Sequence, residues 1–159
     1  MRRSGPLPSV VLALLFTMGA GLPSINGNEA TPPLRLMAIT ELNAGDNGHF
    51  VTDASINGST VKVLVDTGAS AVALSYKDAE KIGLKPRTLD FNVKVMTANG
   101  EGSAAKVKLK HVVIDNVKVR DVEGLVLQEG AMNGTLLGMS FLGRLKSFTM
   151  SDGKLILKN

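Results

Sequence analysis

The stretch Val61-Lys62-Val63-Leu64-Val65-Asp66-Thr67-Gly68-Ala69-Ser70 decides how this chain is read. A β-branched apolar run, of the kind that packs well in strands, ends directly on a carboxylate, a small hydroxyl residue and a glycine, and apolar residues resume at positions 71–74. A charge at the mouth of a buried strand is costly, because an unpaired buried carboxylate loses its hydration and finds nothing to replace it. Asp66 therefore needs hydrogen-bond donors or a chemical role. The turn can supply both: Gly68 lets a peptide N–H come close to the acid, and the Thr67 hydroxyl can brace the loop. The ordinary alternative is a plain β-turn, since Asp and Gly favour turns in any protein.

A second segment argues against that alternative. Gly134-Thr135-Leu136-Leu137-Gly138-Met139-Ser140-Phe141-Leu142 joins two bulky apolar residues and a glycine to a short amphipathic helix. Between the two segments lies Val95-Met96-Thr97-Ala98-Asn99-Gly100-Glu101-Gly102-Ser103, in which Asn99-Gly100 between strand-like residues is a strong hairpin signal. With Gly48-His49-Phe50-Val51 ahead of them, these segments come in the order found in the retropepsin-like aspartic proteases. The chain resembles that family over roughly residues 48–159, and more narrowly a bacterial branch carrying an N-terminal hydrophobic segment.

The resemblance implies a mostly β fold, closed and antiparallel like a barrel, with one or two short helices, acting as an obligate two-fold homodimer on peptide substrates. No cofactor and no metal is implied. It makes Asp66 the catalytic residue, with Thr67, Gly68, Ala69 and Ser70 as its supporting loop. Ser70 can hydrogen-bond the outer carboxylate oxygen or simply cap its own turn. Thr97, Ala98, Asn99, Gly100, Glu101 and Gly102 become a flap over the substrate. Leu136, Leu137 and Gly138 become the strand beneath the loop, the leucines filling the core under Asp66 and the glycine allowing close approach.

Composition is consistent with one such domain. The chain has 159 residues, 44% of them hydrophobic but only 4% aromatic, with no Trp, so its core must be built from aliphatic side chains. Seventeen glycines suit a protein of many hairpins, and the absence of cysteine excludes a disulfide framework and a thiolate metal site. The formal charge of +4 comes from dispersed residues. Lys106, Lys108 and Lys110 alternate with Val107 and Leu109, which describes the wet face of a half-buried strand. No aromatic residues interleave with them, as a groove for single-stranded nucleic acid would require.

Residues 1–28 stand apart. Arg2 and Arg3 precede an uncharged stretch whose apolar centre, residues 10–22, has the length of a signal-peptide core and falls short of the ~20 residues of a simple membrane span. Met18-Gly19-Ala20 is a poor cleavage site. Two fates stay open, cleavage to a soluble periplasmic form or retention as an inner-membrane anchor, with retention slightly favoured; both export the rest of the chain. Residues 29–47 read as a flexible tether, within which positions 34–39 suit a strand or a short helix equally. Residues 48–159 form the protease-like domain. Its expected elements are a first strand from Phe50, a tight turn at Asn57-Gly58, a helix over residues 76–82 capped by Ser75 and Gly83, a flap hairpin over residues 91–110, separate short strands at 111–114, 117–119 and 122–127, and a final hairpin around Asp152-Gly153.

Carboxylate-driven peptide hydrolysis needs two acids sharing a proton. Like charges about 3 Å apart cannot both ionise, so one polarises the scissile carbonyl while the other takes a proton from water, and the pair titrates as a unit. Only Asp66 carries the Thr-Gly continuation; Asp46, Asp53, Asp78, Asp90, Asp115, Asp121 and Asp152 lack it. Two chains must then meet, Asp66 facing its symmetry mate. Rival chemistries fail on context. Gly100-Glu101-Gly102-Ser103-Ala104-Ala105 fits a loose dinucleotide motif but leads into a strand pattern, and Gly138-Met139-Ser140-Phe141-Leu142 ends in Leu where a nucleophile elbow needs Gly. His49 and His111 stand in no metal-ligand spacing. The remaining alternative is a non-catalytic module of the same fold that dimerises or grips extended peptides by strand addition.

Overall fold

The computed structural model describes residues 37–97 and 100–159. Within these residues the strands are β1 (Ile39–Asn43), β2 (Val51–Ile56), β3 (Ser59–Val65), β4 (Val72–Leu74), β5 (Val93–Thr97), β6 (Gly100–Ile114), β7 (Val117–Leu127), β8 (Thr135–Leu137), β9 (Ser147–Ser151) and β10 (Lys154–Lys158); helix α1 (Tyr76–Lys81) follows β4 and α2 (Met139–Leu142) follows β8. The segment read as a signal or anchor, residues 1–28, lies outside the described residues, as do Ala98 and Asn99.

Local chemistry sets the hairpins. Asn57 and Gly58 both take positive φ (53° and 94°), the pairing of a tight two-residue turn, and β2 and β3 zip from Ile56↔Ser59 to Val51↔Leu64. Asp152 and Gly153 do the same between β9 and β10. In β3 the side chains of Val61 and Val63 are buried while Lys62 faces water, the period-2 alternation of a half-buried strand. Ser75 caps α1 by accepting the Asp78 N–H at 3.1 Å, and Gly83 leaves the helix with φ +82°.

The larger sheet runs β2-β3-β8-β4-β7-β6-β5, and β2 also pairs with β6 through Ser55↔Val113 and Ile56↔Val112. That pairing closes β2, β3, β8, β4, β7 and β6 into a barrel. The length of β6 makes this possible: its first part forms a hairpin with β5, and its last part closes onto β2. Two of the pairings are parallel, β3 with β8 and β4 with β7; the others are antiparallel. Inside lie Val61, Val63, Val72, Leu74, Leu109 and Leu137, all essentially without solvent exposure, with Phe141 and Leu142 of α2 in the same cluster.

Three expectations are corrected. Residues 29–47 are not tether throughout, because β1 pairs with β10 from Ile39↔Lys158 to Asn43↔Lys154, and the buried Thr40 hydroxyl donates to the Ile114 carbonyl at 3.2 Å. The short strands expected at 111–114, 117–119 and 122–127 are the ends of two long ones, since β6 runs unbroken to Ile114 and β7 from Val117 to Leu127. The gap read at Arg120-Asp121 is a local distortion: Asp121 has φ +53°, and the β6–β7 register passes from Leu109↔Val122 to His111↔Arg120. Gly100, expected in the hairpin turn, is a strand residue instead. Thr97 pairs with Gly100, which places Gly100 inside β6.

Lys106, Lys108 and Lys110 are exposed, as their alternation predicts, and the first two pair with Glu123 (3.6 Å) and Asp121 (3.9 Å). At such exposure each pair is worth about 0–1 kcal/mol.

Candidate active site

Asp66 leaves the end of β3 with its backbone still tied to the strand beneath: its N–H donates to the Leu137 carbonyl at 3.2 Å. The chain then turns sharply. The Gly68 N–H donates to Asp66 Oδ1 at 2.8 Å, and the Ala69 N–H to the Asp66 carbonyl at 3.3 Å. A Cβ on Gly68 would stand 3.1 Å from that same Oδ1, so the side chain that is missing there is what lets the peptide reach the acid. Asp66 is half-buried, while Thr67, Gly68 and Ser70 are exposed.

From below, the loop is held by the segment joining β8 to α2. Met139 N–H donates to the Ala69 carbonyl at 2.8 Å. Gly138 lies against the loop so closely that a Cβ would stand 2.5 Å from the Ala69 oxygen and closer still to the Ala71 oxygen. No residue but glycine fits there without moving backbone.

The acid opens onto a cleft of about 610 Å³. It is lined by the loop and β4 (Ala69, Ala71, Ala73), by Leu125 and Leu136, and by Lys94 to Thr97 of β5. Met96 of β5 has 81% of its surface exposed. Close to the hairpin's end the Thr97 hydroxyl donates to the Gly100 carbonyl at 2.9 Å, and the Lys94 ammonium pairs with Glu101 at 3.0 Å.

Sequence and fold are both shared with known proteins. The family described as gag-polyprotein putative aspartyl protease matches residues 52–144. The crystal structure of a retropepsin-like aspartic protease from Rickettsia conorii superposes with a TM-score of 0.70 at 36% identity, covering 77% of this chain and 92% of that one. The chain belongs to the retropepsin-like aspartic proteases.

The EIAV protease, in complex with the inhibitor HBY-793, shares the fold at 19% identity and a TM-score of 0.52, over 64% of this chain and 91% of its own. Two uncharacterized bacterial proteins are also similar. One, from the cobV 5′ region of a Sinorhizobium species, is 47% identical over 113 residues, 71% of this chain and 48% of its own length. The other, from Rickettsia prowazekii, is 41% identical over 114 residues, 72% and 48% respectively. The chain thus spans about half the length of the curated relatives it matches.

Most of the residues singled out in this retropepsin-like sequence meet at one place. Asp66, Gly68, Ala69, Ser70, Thr97 and Leu136 all line the cleft; Leu137 and Gly138 lie beneath the loop. Three readings change. Leu136 does not join Leu137 in the core but faces the cleft, because successive side chains of β8 point to opposite sides. Among the described residues the Asp66 carboxylate accepts from Gly68, and the Ser70 hydroxyl takes no part in holding it. Glu101 and Gly102 sit on β6, opposite Met96 and Val95 of β5, outside the cleft lining.

Sequence reasoning missed Ser140, whose hydroxyl accepts the Val72 N–H at 2.9 Å and donates to the Glu123 carbonyl at 2.6 Å. It also missed the tie from Thr135 Oγ1 to Asp78 Oδ2 (2.9 Å), which links β8 to the first turn of α1. A serine two residues past the glycine of the Leu136-Leu137-Gly138 signature was the available signal for the first; the second joins positions 57 apart, and no local pattern marks it.

Proposed function

We propose that this chain is an aspartic endopeptidase in which Asp66 is the catalytic residue and two copies of the chain share one active site. The observation that carries the reading is the setting of Asp66: a half-buried carboxylate, oriented by one peptide N–H, on a loop locked from below and open to a cleft large enough for peptide side chains.

One chain offers one such acid, and the reaction needs two. In the dimer the paired Asp66 carboxylates hold a water between them; one takes its proton as the water attacks the scissile carbonyl, and the other, protonated, donates to the carbonyl oxygen. The tetrahedral centre collapses as the Asp66 that took the water's proton passes it to the leaving nitrogen and the C–N bond breaks. Thr67, exposed beside the acid, faces the partner loop. β5, at the edge of its sheet, offers an extended peptide a strand to pair with. Ala71, Ala73, Leu125 and Leu136 give the substrate side chain an apolar seat. Arg2-Arg3 and the apolar stretch after them export the domain, so that hydrolysis takes place on the periplasmic side of the inner membrane.

The test is hydrolysis of a denatured protein at mildly acidic pH by the wild-type chain, with and without a statine-type inhibitor, beside Asp66→Asn and Asp53→Asn. Asp53 is exposed and pairs with Lys62 at 3.6 Å across β2 and β3, so its change controls for loss of a surface charge. Inhibitable cleavage that disappears only in Asp66→Asn supports the reading. A folded wild type that binds peptide without cleaving it would replace it with the peptide-gripping module.

A further inference from the structure

β4 and β7 run parallel, with Val72 opposite Gly124. In a parallel ladder the slanted bonds run from one residue's N–H to the carbonyl just ahead of its partner in register. For Val72 that carbonyl belongs to Glu123. The Ser140 hydroxyl touches both groups, accepting the Val72 N–H at 2.9 Å and donating to the Glu123 oxygen at 2.6 Å. One hydroxyl uses its donor and an acceptor site to tie the start of β4 to β7.

The place of that tie matters. Val72 is the first residue of β4, where the loop begun at Asp66 re-enters the sheet. The loop's other ties to the same segment are Asp66 N–H to Leu137 O and Met139 N–H to Ala69 O. The β8–α2 segment therefore grips the loop at its start, middle and end, and the last grip is the Ser140 side chain. Val72 is fully buried, so water is poorly placed to replace the bond its N–H gives the hydroxyl.

We propose that Ser140 is a positioning residue for the Asp66 carboxylate, its hydroxyl serving as a tie between β4 and β7 that sets where the loop rejoins the barrel. The inference rests on Asp66 as the reacting group, and one arm of its test needs no hydrolysis.

The full chain carrying Ser140→Ala is compared with wild type and Ser140→Thr by amide hydrogen exchange and by steady-state cleavage of a peptide substrate. Ser140→Ala is expected to speed exchange at Val72, Gly68 and Ala69 while the β9–β10 hairpin keeps its protection. It is expected to lower kcat by between about 10- and 100-fold, the usual cost of a small misplacement of a reacting group, with KM little changed. Ser140→Thr, which keeps the hydroxyl, should restore both. Unchanged exchange at Val72 and Gly68 in Ser140→Ala, or faster exchange spread evenly to the distant hairpin, overturns the proposal. So does a stable Ser140→Thr that restores neither readout. A wild type that cleaves nothing overturns the protease reading instead, and the exchange arm still decides the role of Ser140.

Discussion

Gly138 and Ala69 touch backbone to backbone. The Ala69 carbonyl accepts the N–H of Met139 at 2.8 Å, and a Cβ added to Gly138 would sit 2.5 Å from that same oxygen. The position of the acid thus depends on an atom that is not there. Gly138→Ala should cost about 1–3 kcal/mol of stability, the usual range for overpacking a tight site, and should remove most hydrolysis even where the protein remains folded. Urea unfolding read beside cleavage checks this. An alanine variant with wild-type activity would show that the loop can yield at no functional cost.

Shared chemistry predicts concentration dependence. Specific activity should rise with protein concentration through a dissociation midpoint, and an excess of Asp66→Asn should poison wild type by forming mixed pairs with one working acid. Activity assays on a dilution series, with sedimentation at the same concentrations, decide the matter. Constant specific activity from a sedimenting monomer would rule out the shared site.

The place of β1 predicts where the domain can be trimmed. Leu42 is buried to 8% exposure, and Thr40 donates to Ile114 across to the barrel. A chain starting at residue 48 loses both and leaves an edge of β10 unpaired. One buried leucine is worth about 1.5–3 kcal/mol and one hydrogen bond about 1 kcal/mol, so a chain starting at residue 37 should unfold at clearly higher urea than one starting at 48. Equal midpoints would mean that β1 adds nothing to the domain.

The cap of α1 should be separable from catalysis. Ser75→Ala removes the acceptor for Asp78 N–H and should cost about 0.5–2 kcal/mol, with kcat per folded molecule unchanged. Thermal melts and active-site titration with an inhibitor test the two halves of that statement.

Location can be read by fractionation. Full-length protein in the membrane fraction, degraded by protease added to spheroplasts, supports an anchor formed by the apolar stretch at residues 10–22. A shortened soluble periplasmic form supports cleavage. Intact protein in the cytosol overturns both forms of export.

The sequence by itself determined what depends on neighbours along the chain. Asn57-Gly58 and Asp152-Gly153 turn where they were read because two adjacent residues adopt positive φ, a property of those residue types. Ser75 caps α1 through an atom three residues away. The Asp66 loop was legible for the same reason: carboxylate and donor are two residues apart, and a Cβ on Gly68 would press to 3.1 Å of the carboxylate. Gly138 was legible as a place of close contact.

The tertiary structure decided what depends on register between distant segments. Closure of the barrel through Ile56↔Val112, the parallel pairing of Leu64 with Leu136, and the recruitment of β1 to β10 join residues that no local pattern relates. Leu136 and Leu137 are alike in the sequence; only the orientation of β8 sends one to the cleft and the other to the core. Ser140 looks like any serine in a short helix until folding brings Val72 and Glu123 to either side of its hydroxyl. A side chain's chemistry is fixed by its type, but the groups it meets are fixed by strand pairing, and pairing is settled by burial of the whole core at once.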